Sequence, residues 1–361
     1  MTISKSLSES MLTQTFKSGA QLSKQSITSW RVVQFAVWLI GAVILTCLLF
    51  FPPLGILLFW NILIPIAPFL FVVAVGIWRN LCPLATTTLL PRHLGWSKRK
   101  ILTTKQIGIL NVIATFSLFI IAPLRHAIFN NNGVATGLMI ITMAGIGVTL
   151  GFFYEWKSAW CSGLCPVHPV EKLYGGNVLM SLPNANCDNC MNCVIPCPDS
   201  TPNIHPLSSH KTEYNTLSGL MIIGGLPGFI WGWFHVPDST GITDLENFLS
   251  VYQQPMVGLA ITAILYYNIN QVIQPVYKRK LINIFAAAGV SCYYWYRLPS
   301  LIGFGTFQDD GLLINLSNHL PLWIVPLMRL ISTSFFFYWL VFRKPNKQSW
   351  VIRPAFAKKI A

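Results

Sequence analysis

The chain alternates long apolar runs with shorter polar segments, and the length of the runs sets the first reading. An α-helix needs about 20 predominantly apolar residues to cross the hydrocarbon core of a bilayer. Runs of that kind occur at about 32–52, 55–77, 106–124, 134–153, 217–236, 256–275, 281–301 and 321–342. The pattern predicts an all-α polytopic membrane protein of about eight transmembrane helices, with one long polar insertion between the fourth and fifth. The first run is too long for a signal-peptide core, and no small-residue cleavage site follows it clearly, so it is expected to stay as helix one. Pro52-Pro53 turns the chain into the second run, where Pro65 and Pro68 predict a kink. The chain then divides into a tail at 1–30, a four-helix half at 31–153, the insertion at 154–216, a second four-helix half at 217–342 and a basic tail at 343–361.

Composition agrees with the pattern. Hydrophobic residues make up 53% of the chain and charged ones 10%, against about 25% charged in a soluble protein; the mean hydropathy is +0.55. A net charge of +14 would suit nucleic acid if it formed one patch, but the basic residues lie between the apolar runs, where they set topology. Nucleic-acid binding is therefore excluded and membrane lipid is the expected surroundings. With the N-terminus inside, every Lys and Arg except Arg125, Arg297 and Arg329 falls in a cytoplasmic segment. The acidic loops, with Asp238, Asp244, Glu246, Asp309 and Asp310, then fall outside. The chain is thus expected in the cytoplasmic (inner) membrane, with both termini and the insertion in the cytoplasm. Trp231, Trp233 and the Tyr293–Tyr296 run are expected in an interfacial aromatic belt. Arg329, inside the last run, is expected to pair with Asp309, Asp310 or a lipid phosphate.

The insertion holds the strongest chemical signal. Residues 186–199 read N-C-D-N-C-M-N-C-V-I-P-C-P-D, which spaces Cys187, Cys190, Cys193 and Cys197 as C-x2-C-x2-C-x3-C-P. That is the ligand run of a bacterial-type [4Fe–4S] ferredoxin site. Cysteines three apart on a tight loop can turn their sulfurs onto one cubane, and Pro198 stops the chain from continuing as a helix. Thiolates suit iron–sulfur clusters or zinc, but a structural zinc site usually splits its ligands into two separated pairs. Asp188 and Asp199 would bias the potential of such a cluster downward.

Three further cysteines sit where helices leave the membrane. Helices one and two end in W-R-N-L-C-P-L-A, with Cys82 before Pro83, and helices three and four end in W-C-S-G-L-C-P-V-H-P, with Cys161 and Cys165 before Pro166. Two hairpins that each leave through Leu-Cys-Pro read as an internal duplication. Over about residues 30–200 the chain resembles the NapH/NosR-type membrane polyferredoxins, which carry Cys-x3-Cys-Pro elements at helix ends and cytoplasmic ferredoxin motifs. Cys161 to Pro166 matches the first element and Cys187 to Pro198 the second. The chain departs from the pattern at Trp78, which stands where the first repeat would need a cysteine, and in having only one full ferredoxin run.

The cysteine count leaves a second site open. Cys82, Cys161 and Cys165, with His168 as a non-thiolate ligand, could hold another metal centre; they could equally be a redox-active pair or plain surface thiols. Cys47 and Cys292 fall inside apolar runs and read as packing residues. His126, His235 and His319 fall near outer helix ends, where haem ligation or proton uptake from a quinol is the sharper reading and an interfacial histidine the commoner one. No pattern reads as a catalytic acid, base or nucleophile. The expected protein is an electron-transfer component rather than a stand-alone enzyme. The resemblance implies electron relay between a quinone pool and a partner oxidoreductase, as in a quinol dehydrogenase subunit. The alternative is a membrane accessory, assembly or redox-sensing protein whose cluster is structural.

Overall fold

The computed structural model describes residues 16–17, 24–100, 102–155, 157–175, 212–238, 245–307, 311–344 and 358–359. Eight long helical elements succeed one another: α1 (Gln25–Phe50), α2 (Pro52–Thr88), α3 (Lys105–Phe129), α4 (Gly133–Phe153), α5 (Glu213–Trp233), α6 (Phe248–Val272), α7 (Lys278–Leu301) and α8 (Ile324–Phe342). All but α7 are long and apolar enough to cross a membrane, which makes this an all-α, multi-pass membrane protein. A two-residue ladder, Phe16–Lys17 against Lys358–Lys359, joins the two tails.

Local chemistry fixes several helix starts. Thr103 and Gln106 form a reciprocal capping box at the start of α3, which satisfies two backbone donors that a helix end leaves open. Asn132 caps α4 and Thr212 caps α5, each with a single side-chain oxygen accepting one backbone N–H. The α1 helix reaches back beyond the apolar run, since its polar first turns extend the helix without needing lipid contact.

The helices differ in how much lipid they meet. In the most apolar stretch of α5, 61% of residues are buried inside the protein, against 11% in α1. The main core joins Ala67, Phe71 and Val72 of α2, Ile222 and Phe229 of α5, Phe285 and Val290 of α7, and Phe336 and Leu340 of α8. That location explains why α7 is the least apolar long helix. Its buried positions include Ser291, Tyr294, Arg297 and Ser300, so protein rather than lipid surrounds much of its polar surface.

The α2 helix is broken, and its neighbours repair it. The Tyr294 hydroxyl of α7 bridges two backbone groups of α2, accepting from Phe69 N at 2.9 Å and donating to Pro65 O at 2.6 Å. Ala74 is non-helical (φ −149°, ψ 56°), and Trp339 Nε1 of α8 donates to Val72 O at 3.1 Å. Asn80 Nδ2 returns to Gly76 O at 2.9 Å, and Gln34 Nε2 of α1 reaches Asn80 O at 3.0 Å. The α2 helix is kinked as expected, but the break lies at Ala74 and not at Pro65 or Pro68, and neighbouring side chains bond backbone groups along it. Tyr294 and Trp233 are correspondingly buried, which corrects the expectation of a belt at these residues; Trp231 and Trp295, of the tryptophans expected there, are exposed.

The tightest helix pair is α5 against α6. Gly228 and Gly258 face each other so closely that a Cβ on either would run into the other's carbonyl oxygen, and Gly232 is pressed in the same way against Gln254 O. Small residues at such a crossing let two backbones approach within the membrane. Gly228→Ala should therefore cost about 1–3 kcal/mol through forced separation of the pair, seen as a lower thermal unfolding midpoint in detergent. Gly145→Ala, on α4 with open space around it, should leave the midpoint unchanged or raise it.

Candidate functional site at the cysteine end

The four residues of the ferredoxin run, Cys187, Cys190, Cys193 and Cys197, lie outside the described residues. Their point of attachment does not. The described chain stops at Gly175, packed on Val75 of α2, and resumes at Thr212, beside Gly108 of α3. Both positions belong to the end of the bundle that also carries Cys82, Cys161 and Cys165.

Each Leu-Cys-Pro element breaks a helix locally. Cys82 is non-helical (φ −56°, ψ 114°) with its N–H still bonded to Trp78 O at 2.9 Å, and Pro83 opens the next short helix. Lys157–Leu164 is a wider π-helical segment packed against α3; it ends where Cys165 N bonds Trp160 O at 2.9 Å. His168–Tyr174 comes next as a short helix whose Leu173 and Tyr174 enter the main core. The first part of the expected insertion is thus built into the bundle.

Cys82 and Cys161 pack against the same two residues, Ala85 and Leu89. Burial, and then the adjacent Cys82, pushes the Cys165 thiol up to about 12. His168 is buried on the short helix beyond it. Among the described residues, no group of three or more His, Cys, Asp or Glu side chains is gathered to hold a metal ion. Cys82, Cys161, Cys165 and His168 lie at one end of the bundle without being gathered into such a group.

Two buried ion pairs clasp the repeats together. Arg79, just before Cys82, pairs with Glu171, just after Cys165. Arg92, after Cys82, pairs with Glu155, before Cys165. The pairing is crossed: the cation ahead of the first Leu-Cys-Pro meets the acid beyond the second, and the cation beyond the first meets the acid ahead of the second. Backbone bonds support the second clasp, because Lys98 N donates to Phe152 O at 2.7 Å and Glu155 N to Lys100 O at 3.0 Å. At this end burial, followed by the Arg31 and Arg92 guanidiniums, also holds His93 below its usual pKa.

The opposite end gathers charges that spacing alone did not bring together. Arg125 and Arg297 are 2% and 1% exposed. Arg297 Nη2 donates to Trp60 O and Asn61 Oδ1 at 2.7 and 2.8 Å, and Arg125 lies over the Trp60 and Trp233 rings. His126 Nδ1 meets Asp238 Oδ1 at 2.6 Å, and Asn130 also bonds Asp238. Trp60 and Asn61 belong to one π-helical segment, Leu57–Leu63, and Arg125 and His126 to another, Arg125–Phe129. The signal in the sequence was topological: Arg125 and Arg297 are two of the three cations outside the positive-inside pattern. The third, Arg329, donates from Nε to Trp295 O at 3.2 Å and lies over the Trp295 ring; Asp309 and Asp310, its expected partners, lie outside the described residues. His235 Nδ1 is 2.7 Å from Trp231 O.

Comparison with protein-family profiles, with characterised proteins and with solved structures finds no match for this chain.

A buried pair broken on one side leaves a lone charge in low dielectric, at a cost of about 3–5 kcal/mol. Glu171→Gln should show that loss as a clearly lower unfolding midpoint. Arg79→Met combined with Glu171→Leu should recover most of it, because neither charge then remains to be desolvated. A double variant no better than the single one would mean that Glu171 stabilises by other contacts.

Proposed function

We propose that this protein is a membrane-bound iron–sulfur electron-transfer component. It relays electrons between a quinone pool and a partner oxidoreductase from a [4Fe–4S] site on the cytoplasmic side of the cytoplasmic membrane. The observation that carries the reading is the donor set Cys187, Cys190, Cys193 and Cys197 in C-x2-C-x2-C-x3-C-P spacing. Four thiolates on one short stretch suit a cubane, and a bound cluster supplies one-electron transfer.

The chain's own residues have separable tasks in this reading. The four cysteines hold the group, and Asp188 and Asp199 lower its potential. The crossed ion pairs Arg79–Glu171 and Arg92–Glu155 fix the surface from which the insertion hangs. The helix α7 serves as an eighth span: its 24 residues are about 36 Å long at 1.5 Å per residue. With eight spans both tails lie on one side, and the basic residues flanking Cys82 and Cys165 put that side in the cytoplasm.

Protein purified without oxygen should contain iron and give a cubane signal in electron paramagnetic resonance after reduction. Cys190→Ser should remove most of that iron. Unchanged iron in the variant would show that the run is not a cluster site. A cluster that no quinol and no soluble donor reduces or reoxidises would leave it structural and end the electron-transfer reading.

A further inference from the structure

We infer that the segment 90–100, which follows α2, binds the headgroups of anionic phospholipids in the leaflet at the cysteine end. Such a site stands with or without a bound cluster.

Charge is the first observation. Between Glu9 and Glu155 the chain has no acidic residue, yet Lys98, Arg99, Lys100 and Lys105 fall close together inside that stretch. Glu155 is buried and paired with Arg92, and Glu171 with Arg79. Among the described residues, no carboxylate forms an ion pair with Lys98, Arg99 or Lys100, and all three are exposed. Exposed cations alone would be an ordinary solvated loop. Depth and neighbours distinguish these.

The depth follows from α4. Its 21 residues are about 31 Å long at 1.5 Å per residue, which matches a hydrocarbon core of about 30 Å. The last of them, Phe153, therefore marks the boundary with the headgroups. The basic stretch is tied to that boundary: Lys98 N donates to Phe152 O at 2.7 Å and Lys100 N to Phe153 O at 3.1 Å. Ser97 Oγ donates to Gly151 O at 2.7 Å, and Lys98 Nζ lies 5.5 and 5.2 Å from the Phe152 and Phe153 ring centres. The three cations are thus held at the level of lipid phosphates.

The short helix Leu90–His93 and the turn after it have two sides. Pro91 and Arg92 are buried, with Pro91 beside Gly151 of α4. Leu90, Leu94 and Trp96 are 50%, 48% and 63% exposed. Gly95 turns the chain between the last two with φ +74°, and Trp96 N returns to Pro91 O at 2.8 Å. An exposed indole with two leucines beside lysines suits the boundary layer, where one face meets acyl chains and the N–H meets water or headgroup. A soluble acidic partner would match the cations but leave the leucines facing lipid level. A phospholipid matches both.

Arg99 adds a separate sign. Its φ is +48°, and among the described residues no other non-glycine has positive φ. Glycine takes that conformation freely, whereas a Cβ crowds the following carbonyl. A backbone suited to glycine that carries a guanidinium gives the charge a purpose, and guanidinium binds phosphate through two parallel donors.

The test reads Trp96 in the full chain, reconstituted into phosphatidylcholine bilayers with a minor share of brominated lipid, either phosphatidylglycerol or phosphatidylcholine. Bromine quenches only the tryptophans it touches, and the Trp96 part is the difference between the unmutated chain and Trp96→Phe. One cation near an anionic surface is worth about a fivefold change in occupancy. At low salt, brominated phosphatidylglycerol should therefore quench Trp96 at about one-fifth of the mole fraction that brominated phosphatidylcholine needs, or less. Lys98→Gln, Arg99→Gly and Lys100→Gln combined should bring the two lipids to near equality. Lys278→Gln, Arg279→Gln and Lys280→Gln combined, at the start of α7, should leave the preference intact. Arg99→Gly alone relieves its backbone, so it should lower the preference with the unfolding midpoint unchanged or higher. Equal quenching of the unmutated chain by the two lipids would overturn headgroup recognition. No quenching of Trp96 by either would place the segment outside the bilayer and end the proposal. Equal loss of preference in the two triple variants would assign it to general surface charge and equally refute a site at this segment.

Discussion

The structure depends on α2 being unable to satisfy its own backbone. Between Leu57 and Cys82 the helix contains a π segment, two prolines and a non-helical residue at Ala74. Each irregularity frees carbonyl or amide groups, and in hydrocarbon a free group costs several kcal/mol. Two other helices answer. Tyr294 of α7 satisfies two α2 backbone groups with one hydroxyl, Trp339 of α8 takes the Val72 carbonyl, and Arg297 of α7 takes that of Trp60. Packing and polar satisfaction thus impose the same arrangement: α7 must lie beside α2, with its tyrosine and arginine turned inward. An irregular helix of this kind cannot be replaced by a straight apolar one without leaving α7's own polar groups unpaired.

That constraint also explains what could be read from the sequence. Seven spans were legible because length and apolarity are local properties; a kink in α2 was expected at its prolines, but its break lies at Ala74, which no local signal marks. The eighth helix was legible as a run, but not its interior position, since nothing local distinguishes a tyrosine at an interface from one inserted into a neighbour's hydrogen-bond ladder. Tyr294 and Trp233 were accordingly expected in a belt and lie inside. The ion pairs were invisible for a related reason: Arg79 and Glu171 are 92 positions apart, and Arg92 and Glu155 are 63 apart. Only the duplication could have suggested that segments flanking one Leu-Cys-Pro meet those flanking the other. Of the candidate site, the cysteine identities and spacing were legible, but the way Cys82 and Cys161 share a packing surface was not.

The two ends of the bundle solve opposite electrostatic problems. At the cysteine end the buried cations Arg79 and Arg92 face glutamates brought from the other repeat, so charge closes the joint between hairpins. At the far end Arg125 and Arg297 sit among tryptophan faces, a backbone carbonyl and an asparagine, while Asp238 is engaged by His126 and Asn130. Aromatic faces attract guanidinium without adding a second charge to desolvate. The π segments at Leu57–Leu63 and Arg125–Phe129 supply the extra backbone width that lets these bulky groups fit, a use of π-helix that recurs at functional sites.

The two Leu-Cys-Pro hairpin ends are not symmetric in their thiols. A symmetric pair of Cys-x3-Cys-Pro elements would offer four thiolates at the helix ends. Here Trp78 occupies one of those positions, leaving Cys82, Cys161 and Cys165. An indole cannot ligate iron, and its bulk fills space against Phe71 that a cysteine would leave to solvent or metal. The absence of a metal-holding group among the described residues accords with that substitution. The exchange leaves the first hairpin end with one thiol where the second has two.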